Sequence, residues 1–248
     1  MVQVLAGRRF AAAPVRLEVR DLARPDQTMA WTPPVRGTVY GVMLNVRRGV
    51  DALGEALTKP PYGAPPRAPV LYIKTPNTLL GHGGEVPVPA PAPVLETNAT
   101  LAVVIGRPAC RVAEADALDH VLGYTVAIDV CIPHANLHRP AIRQRCRDGF
   151  LPIGPWIMPR AKVAHPDALT VTVRVNGEER GAFSTSDLLR PVARLIADVT
   201  EFMTLSEGDV LLVGLPPDGP QARAGDRVEA EIEGVGLLGC TLVEEASR

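Results

Sequence analysis

The sequence predicts a strand-rich α+β fold with short helices. Proline and glycine are abundant, at 25 and 22 of 248 residues, and this favours many turns and short strands over a helical bundle. Several continuous apolar runs have the length of buried strands. Clear helical spacing over several turns is found in one segment, residues 188–203. These three observations together predict short strands packed with a few short helices.

The first 35 residues are predicted to form a small separate module, and residues 36–248 the main domain. Residues 15–20 alternate apolar and polar side chains, as a half-buried strand does, and Pro33-Pro34 marks the boundary. The apolar run 38–44 then predicts a buried strand. A short helix is predicted over residues 50–57, followed by an extended proline-rich loop at 59–66.

The rest of the main domain alternates strands with links and turns. Strands are predicted at 70–73, 101–106, 124–130, 210–213 and 228–232, with a proline-rich link at 87–93 and an amphipathic helix at 113–121. Residues 169–183 predict a hairpin, because Asn176-Gly177 is a typical two-residue turn. Thr185-Ser-Asp187 is predicted to cap the helix that follows it.

The overall composition excludes several functional classes. The 26 basic and 27 acidic residues nearly cancel, so the chain has no basic footprint for nucleic acid or an anionic membrane. Its apolar segments are shorter than the ~20 residues that span a bilayer, and residues 1–10 do not resemble a signal peptide. We therefore expect a cytoplasmic protein. Its four cysteines are expected to be reduced and mostly buried, because none forms a C-x-x-C pair.

Four motifs lie between residues 74 and 156. They are Lys74-Thr-Pro-Asn-Thr-Leu-Leu-Gly81, Leu101-Ala-Val-Val-Ile-Gly106, Gly123-Tyr-Thr-Val-Ala-Ile-Asp129, and Arg145-Cys-Arg-Asp-Gly-Phe-Leu-Pro-Ile-Gly-Pro-Trp156. Together they resemble the core of the fumarylacetoacetate hydrolase family, and the similarity runs from about residue 37 to 243. The resemblance implies a mixed β-sandwich roll. It also implies a divalent metal, Mg²⁺ or Mn²⁺, that binds a 2-oxo or 2-hydroxy acid and stabilises the enolate.

The resemblance places the family's three metal-binding carboxylates on Asn98, Thr100 and Asp129. Asp129 is thus the one carboxylate left of the three. The amide and the hydroxyl still offer oxygens, but they lack the negative charge that holds a divalent cation. Weak or absent metal binding is therefore expected. Glu96 is a possible substitute ligand, because it lies two residues before Asn98 on the same face of the strand.

The resemblance also implies substrate-binding roles for Lys74, Arg145 and Asp148. Arginine can bind a carboxylate through two hydrogen bonds, whereas a lysine can pair with it as a point charge. Three further arginines surround Arg145, and this cluster suits a small substrate with several carboxylates. The alternative reading of the cluster is a solvated basic surface. Those three residues are Arg139, Arg143 and Arg147.

The catalytic His and Glu of the family fall on Gly49 and Ala52, neither of which can transfer a proton. Leu215 likewise replaces a threonine in a late family motif. His82, in a glycine-rich loop, is then a weak catalytic candidate as a mobile proton carrier. The alternative for it is an ordinary surface histidine.

His134 and His138 have a spacing that could bind Zn²⁺ on a helix. However, prolines flank a predicted loop here and no third ligand is evident. Metal binding by this pair is therefore the less favoured reading.

These departures resemble one subgroup, the N-terminal-type half of the decarboxylase/isomerases of 4-hydroxyphenylacetate (homoprotocatechuate) degradation. In that subgroup two related halves occur fused or as separate chains. The resemblance implies decarboxylation of 5-oxopent-3-ene-1,2,5-tricarboxylate and isomerisation of 2-hydroxyhepta-2,4-diene-1,7-dioate, in an oligomer with a metal-bearing paralogue. Two alternatives stay open: a non-catalytic scaffold for that paralogue, and a metal-free small-acid enzyme or binder that acts as a homodimer.

Overall fold

The computed structural model describes residues 2–4, 15–17, 31–90, 92–134 and 139–246. Strands dominate these residues and helices are short. The strands are β1 (Val2–Val4), β2 (Val15–Leu17), β3 (Val39–Met43), β4 (Val70–Lys74), β5 (Leu79–Leu80), β6 (Gly84–Val88), β7 (Leu95–Ile105), β8 (Val121–Cys131), β9 (Leu151–Pro159), β10 (Thr170–Val175), β11 (Glu178–Ser184), β12 (Val210–Leu212), β13 (Gln221–Ala222), β14 (Arg227–Ile232) and β15 (Gly236–Glu244). The α-helices are α1 (Arg47–Leu53), α2 (Ile142–Arg145) and α3 (Val192–Thr200).

The strands form one large mixed sheet, one smaller mixed sheet and the antiparallel pair β1–β2. The large sheet has eight strands in the order β4-β3-β12-β7-β8-β9-β5, with β13 paired to one end of β7. The smaller sheet has the order β11-β10-β14-β15-β6. Strand β12 lies between β3, to which it is parallel, and β7, to which it is antiparallel. Strands distant in sequence are therefore neighbours in the large sheet.

The central strands of the large sheet are buried on both faces, which explains their continuous apolar runs. Leu101 and Val103 of β7 point into the main core, which also contains Val171 of β10 and Val228 of β14 in the smaller sheet. The alternate residue Ala102 points into a second apolar cluster on the opposite face. The two sheets therefore pack as layers of a sandwich around the main core.

The predicted strand-rich α+β class is confirmed, and so is the hairpin. Its strands β10 and β11 are joined by Asn176 and Gly177 with φ of 53° and 84°, the left-handed pair that a type I′ turn requires. The strand of residues 15–17 lies within the predicted run 15–20. Most of the predicted module 1–35 lies outside the described residues, so that division stays a prediction.

The predicted cap of the longest helix is wrong. Thr185 does not begin α3, because its hydroxyl donates to the Pro166 carbonyl at 2.8 Å and accepts from the Leu169 N–H at 2.8 Å. The helix begins at Val192 instead, directly after Pro191. Its first N–H donates to the carboxylate of Asp167, at 2.7 Å. A residue 25 positions away therefore replaces the local cap.

Other predicted boundaries shift for local reasons. The helix predicted over 50–57 starts earlier and changes at Gly54 to a 3₁₀ turn, Gly54–Thr58. The helix predicted over 113–121 is a 3₁₀ helix, Glu114–His120. Part of the proline-rich link is strand β6, which contains Pro87 and lies at the edge of the smaller sheet, where a strand tolerates proline. No helix in the described part of the chain is long and apolar enough to cross a bilayer.

The contact between Asp167 and the first N–H of α3 can be tested by substitution. Asp167→Ala should lower the free energy of unfolding by about 1 kcal/mol, because the first N–H of α3 loses its acceptor. Urea denaturation measures this change. Asp187→Ala is the matched control, since Asp187 is exposed and belongs to the segment that does not cap the helix. Equal effects of the two substitutions would contradict the assignment.

Candidate functional site

The candidate site lies where the apolar layer on one face of the large sheet gives way to polar side chains. On β7, Val104 and Ala102 belong to the second apolar cluster, and Thr100, Asn98 and Glu96 continue along the same face. On β8, Asp129 lies directly opposite Asn98 in the strand register. The sheet thus brings residues from two neighbouring strands to one polar patch.

A buried ion pair between Lys74 and Asp129 is at the centre of this patch. The Nζ atom of Lys74 lies 2.8 Å from Asp129 Oδ1, and both side chains are fully buried. The same Nζ donates to the carbonyls of Val130, Arg145 and Phe150, each at 2.9 Å. The three protons of the ammonium are therefore fully used by four protein oxygens. The predicted substrate-binding role of Lys74 stays a prediction, and it would require one of these contacts to break.

Arg145 and Tyr72 complete the surroundings of Asp129. Arg145 Nη1 lies 3.3 Å from Asp129 Oδ1, and the Tyr72 hydroxyl donates to Asp129 Oδ2. The guanidinium also lies over the Tyr72 ring, 4.9 Å from its centroid, in a cation–π contact. Gly41 on the paired strand makes room for this ring, because a Cβ there would lie 2.0 Å from Tyr72 Cζ.

The charges of this group are fixed by one another. Burial alone would raise the pKa of Asp129, but Lys74 and Arg145 outweigh burial and lower it. Burial lowers the pKa of Lys74, and Asp129 opposes that effect. Burial and the Asp129 charge together raise the pKa of Tyr72 well above its usual value. Because Lys74 donates to four oxygens, we assign the pair as an ammonium and a carboxylate, with Tyr72 neutral.

A cavity of about 300 Å³ adjoins this charged group. Most of its wall is apolar and includes Val42, Met43 and Leu53. The polar lining comes from Tyr72, Glu96, Asn98, His134 and Arg145. Such a cavity, with an apolar wall and a few polar groups on one side, is typical of a small-molecule site.

The positions where the family resemblance expects catalytic groups also line this cavity. Gly49 and Ala52 stand at the places of the family His and Glu, and Leu215 at that of a family threonine. The structure therefore brings these three positions together, as the resemblance implies. None of the three side chains can donate or accept a proton, so acid–base chemistry in this cavity requires other residues.

The three family metal positions do not fit a divalent cation in this chain. Both oxygens of Asp129 are occupied, by two cations and a phenol. The Oδ1 atom of Asn98 is buried and has no hydrogen-bond partner among the described residues, and the amide packs beneath Gly219. Thr100 directs its hydroxyl to the Gly214 carbonyl, at 2.7 Å. The oxygens of Asp129 and Thr100 are thus used elsewhere, and the neutral Asn98 amide is the one position of the three with an unpartnered oxygen among the described residues.

Glu96 is the remaining carboxylate in the cavity wall. Its Oε2 accepts a hydrogen bond from the Cys131 thiol at 3.3 Å, and burial raises the pKa of that thiol to about 12. In the described part of the chain, no group of three or more His, Cys, Asp or Glu side chains could hold a metal ion. The role of Glu96 as a substitute metal ligand therefore stays a prediction. The described residues place no such group of ligands around it.

The remaining substrate candidates separate in space. Asp148 is exposed and accepts a hydrogen bond from Asn77 Nδ2 at 2.7 Å, which holds two loops together. Arg147 pairs with Glu245 at 2.7 Å, and Arg143 is exposed. Among the candidate arginines, Arg145 lines the 300 Å³ cavity. The predicted cluster is therefore divided, because Arg139 and Arg145 line a neighbouring cavity together and Arg143 and Arg147 do not line it.

The histidines differ from their expected places. His82 is buried at 1% exposure and accepts at Nδ1 from the Gly239 N–H, at 3.0 Å. Burial, with a smaller effect of the Arg227 charge, lowers its pKa to about 4. The expected mobile surface position of His82 is therefore wrong, and we leave it out of the proposed site. His134 lines the cavity, and His138 lies outside the described residues.

Tyr72 is a site residue that sequence reasoning missed, and His134 was considered only as a zinc ligand and not as part of this cavity. Alternation along β4 places Tyr72 and Lys74 on one face, and this signal is readable in the sequence. His134 follows β8 by a few residues, and its Nδ1 lies 3.0 Å from the Ile132 carbonyl. No sequence pattern marks that local contact.

Comparison with known proteins agrees with the resemblance. The profile described as fumarylacetoacetate (FAA) hydrolase C-terminal matches residues 38–243. An *Escherichia coli* protein described as 4-hydroxyphenylacetate degradation bifunctional isomerase/decarboxylase is 39% identical over 211 residues, which are 85% of this chain and 48% of that protein. The chain thus spans about half the length of this relative.

Solved structures share the fold. One described as 5-carboxymethyl-2-hydroxymuconate delta-isomerase from *Mycobacterium smegmatis* has a TM-score of 0.75 and 30% identity, covering 88% of this chain and 83% of that one. A fumarylpyruvate hydrolase from *Pseudomonas aeruginosa*, solved with Mn²⁺ and pyruvate, has a TM-score of 0.72 and 23% identity, covering 89% and 94%. The predicted β-sandwich roll is therefore confirmed.

The buried ion pair generates a stability test. Lys74→Met should lower the free energy of unfolding by about 3–5 kcal/mol, because it leaves the buried Asp129 carboxylate short of a cation. Chemical denaturation monitored by circular dichroism measures the loss. Arg147→Met is the control, since its pair with Glu245 is partly exposed and should contribute about 1 kcal/mol or less. A loss at Lys74 no larger than at Arg147 would overturn the central role of the pair.

Proposed function

Because the chain belongs to the fumarylacetoacetate hydrolase family, we propose that it is a substrate-binding subunit of a decarboxylase/isomerase of homoprotocatechuate catabolism. Its substrates would be 5-oxopent-3-ene-1,2,5-tricarboxylate and 2-hydroxyhepta-2,4-diene-1,7-dioate. In this proposal the chain binds the substrate without a metal of its own. A metal-bearing paralogue is the proposed partner.

The relatives support this class of reaction. The *Escherichia coli* relative is a bifunctional isomerase/decarboxylase, and the *Mycobacterium smegmatis* structure is an isomerase of a 2-hydroxymuconate. The chain spans 48% of the first of these, and the metal-bearing paralogue is proposed to correspond to the other half. The cytoplasmic location predicted from sequence belongs to the same proposal.

The observation that carries the proposal is the position of Arg145. Its side chain is 12% exposed and lines the cavity, while Lys74 behind it is sealed from solvent. Asp129 and the Tyr72 ring hold the guanidinium in place, so little conformational entropy is lost when a ligand binds. A fixed cation in an apolar cavity suits a carboxylate.

The chemistry of Arg145 follows from its charge and shape. A guanidinium can donate two parallel hydrogen bonds to the substrate carboxylate. It also favours negative charge that develops on an adjacent oxygen of the dienolate. Burial would lower the pKa of Arg145, but Asp129 and other neighbours outweigh burial and raise it. Arg145 therefore orients the substrate and stabilises charge, and it does not transfer protons.

Two cavity residues favour an autonomous, metal-free enzyme as the second candidate function. Glu96 and His134 both line the cavity and are titratable groups that could move a proton. A pure scaffold has less support, because it needs no cation held against a cavity. Turnover by the isolated chain distinguishes the autonomous enzyme from the substrate-binding subunit.

The first test is ultraviolet-monitored turnover of 2-hydroxyhepta-2,4-diene-1,7-dioate by the pure chain, with Mg²⁺ or Mn²⁺ and with a chelator. We expect the chelator to change nothing, because Asp129 and Thr100 are occupied by other contacts and Asn98 offers a single neutral oxygen. Calorimetric binding of 2-oxoheptanedioate in chelator provides the second readout. Binding without turnover supports the subunit, and metal-free turnover supports the autonomous enzyme. Turnover lost on chelation, or no binding at all, would refute the proposal.

Arg145→Gln should weaken binding of 2-oxoheptanedioate by about tenfold or more, since a charge-assisted pair is lost. Isothermal titration calorimetry measures the change. Arg143→Gln is the matched control, because Arg143 lies on the same short helix but is exposed and outside the cavity wall. Arg145→Lys should be intermediate, since it keeps the charge and loses the bidentate geometry. Unchanged affinity in Arg145→Gln would exclude the assigned role.

A further inference from the structure

We propose that Arg139 binds the distal carboxylate of the substrate in a second cavity, so that the site selects diacids over monoacids. This inference rests on the proposed function and deepens it, because it assigns a residue to substrate specificity. It stands on the shape and the charge of the second cavity.

The second cavity adjoins the first, because the two share lining residues. Its volume is about 390 Å³. Four residues line both cavities: Met43, Tyr72, His134 and Arg145. The guanidinium of Arg145 therefore lies between two spaces. A substrate that binds Arg145 from the side of the second cavity has room to extend along that cavity.

The charge of the second cavity is wholly basic among its described lining residues. Arg139 and Arg145 supply cations, and no aspartate or glutamate lines it. An anion in this space meets attraction without a competing carboxylate. The first cavity differs, because Glu96 lines it. The second cavity is therefore the better place for an additional carboxylate.

The apolar walls of the second cavity suit a hydrocarbon chain. Val70, Leu71, Ile73 and Ile142 line this cavity together with the two arginines. Ile73 and Ile142 are 46% and 55% exposed, so a ligand in the cavity can reach them. Apolar walls with two cations match a molecule with an apolar middle and two carboxylates.

Arg139 is available for such a contact. Arg147 is paired with Glu245, and Arg145 with Asp129. Arg139 is exposed, and the described residues contain no ion pair to it. It precedes Pro140 and helix α2, and the proline limits the backbone freedom of the segment. A diacid bound at Arg145 would thus find a free guanidinium along its chain.

The test compares two probes that differ in the distal carboxylate, 2-oxoheptanedioate and 2-oxoheptanoate. Isothermal titration calorimetry measures both affinities for the wild-type chain and its variants. We expect the wild type to prefer the diacid by about tenfold, and Arg139→Gln to lose that preference while its affinity for the monoacid stays the same. Arg139→Lys should keep the preference. Arg143→Gln is the control, since Arg143 is exposed and lines neither cavity.

The outcomes separate this inference from the proposed function. If the wild type binds both probes equally, or Arg139→Gln keeps its preference, the distal subsite is overturned while binding at Arg145 stands. An equal loss for both probes in Arg139→Gln also overturns it, because the effect is then not on the distal carboxylate. If the wild type binds neither probe, the proposed function and this inference both fail.

Discussion

The buried pair of Lys74 and Asp129 is the interaction on which the rest of the site depends. Two opposite charges without solvent exposure are stable only when further hydrogen bonds compensate for lost hydration. Here the compensation comes from carbonyls at the end of β8, at the end of α2 and just before β9. One ammonium therefore joins β4 to three separate segments. Arg145 keeps its position in the cavity wall because its backbone carbonyl is one of the acceptors of Lys74.

This arrangement orders the site through charges that belong to the chain itself. A divalent cation draws its ligands together through charge, and a carboxylate already neutralised by two protein cations has little left to offer. Asp129 binds Lys74 and Arg145 instead. The positive charge of the site is then part of the chain itself and is always present. Arginine is well suited to this use, because its pKa keeps it charged at any physiological pH.

Local patterns in the sequence predict much of the fold. The Asn176-Gly177 turn and the apolar run of β7 depend on nearest neighbours and on burial, both of which are readable in one dimension. Non-local contacts decide the rest. Asp167 caps α3 from 25 positions away. In the sequence Lys74 is the end of a predicted strand, whereas in the folded chain β8 and the segment before β9 enclose it. Motifs identified the positions of the site, whereas partners distant in sequence decided which side chains are free to act.

The cavity itself argues that the chain binds a ligand. Replacement of the family His and Glu by Gly49 and Ala52 removes proton-transfer groups and also removes side-chain volume, so the space beside Arg145 is open. A scaffold needs Arg145 only to neutralise the buried Asp129, and that use does not require an open space beside the guanidinium. Burying charge costs free energy, and an apolar replacement of similar shape often stabilises a fold. Retention of a positioned guanidinium beside an apolar cavity is therefore better explained by substrate binding than by structural support alone.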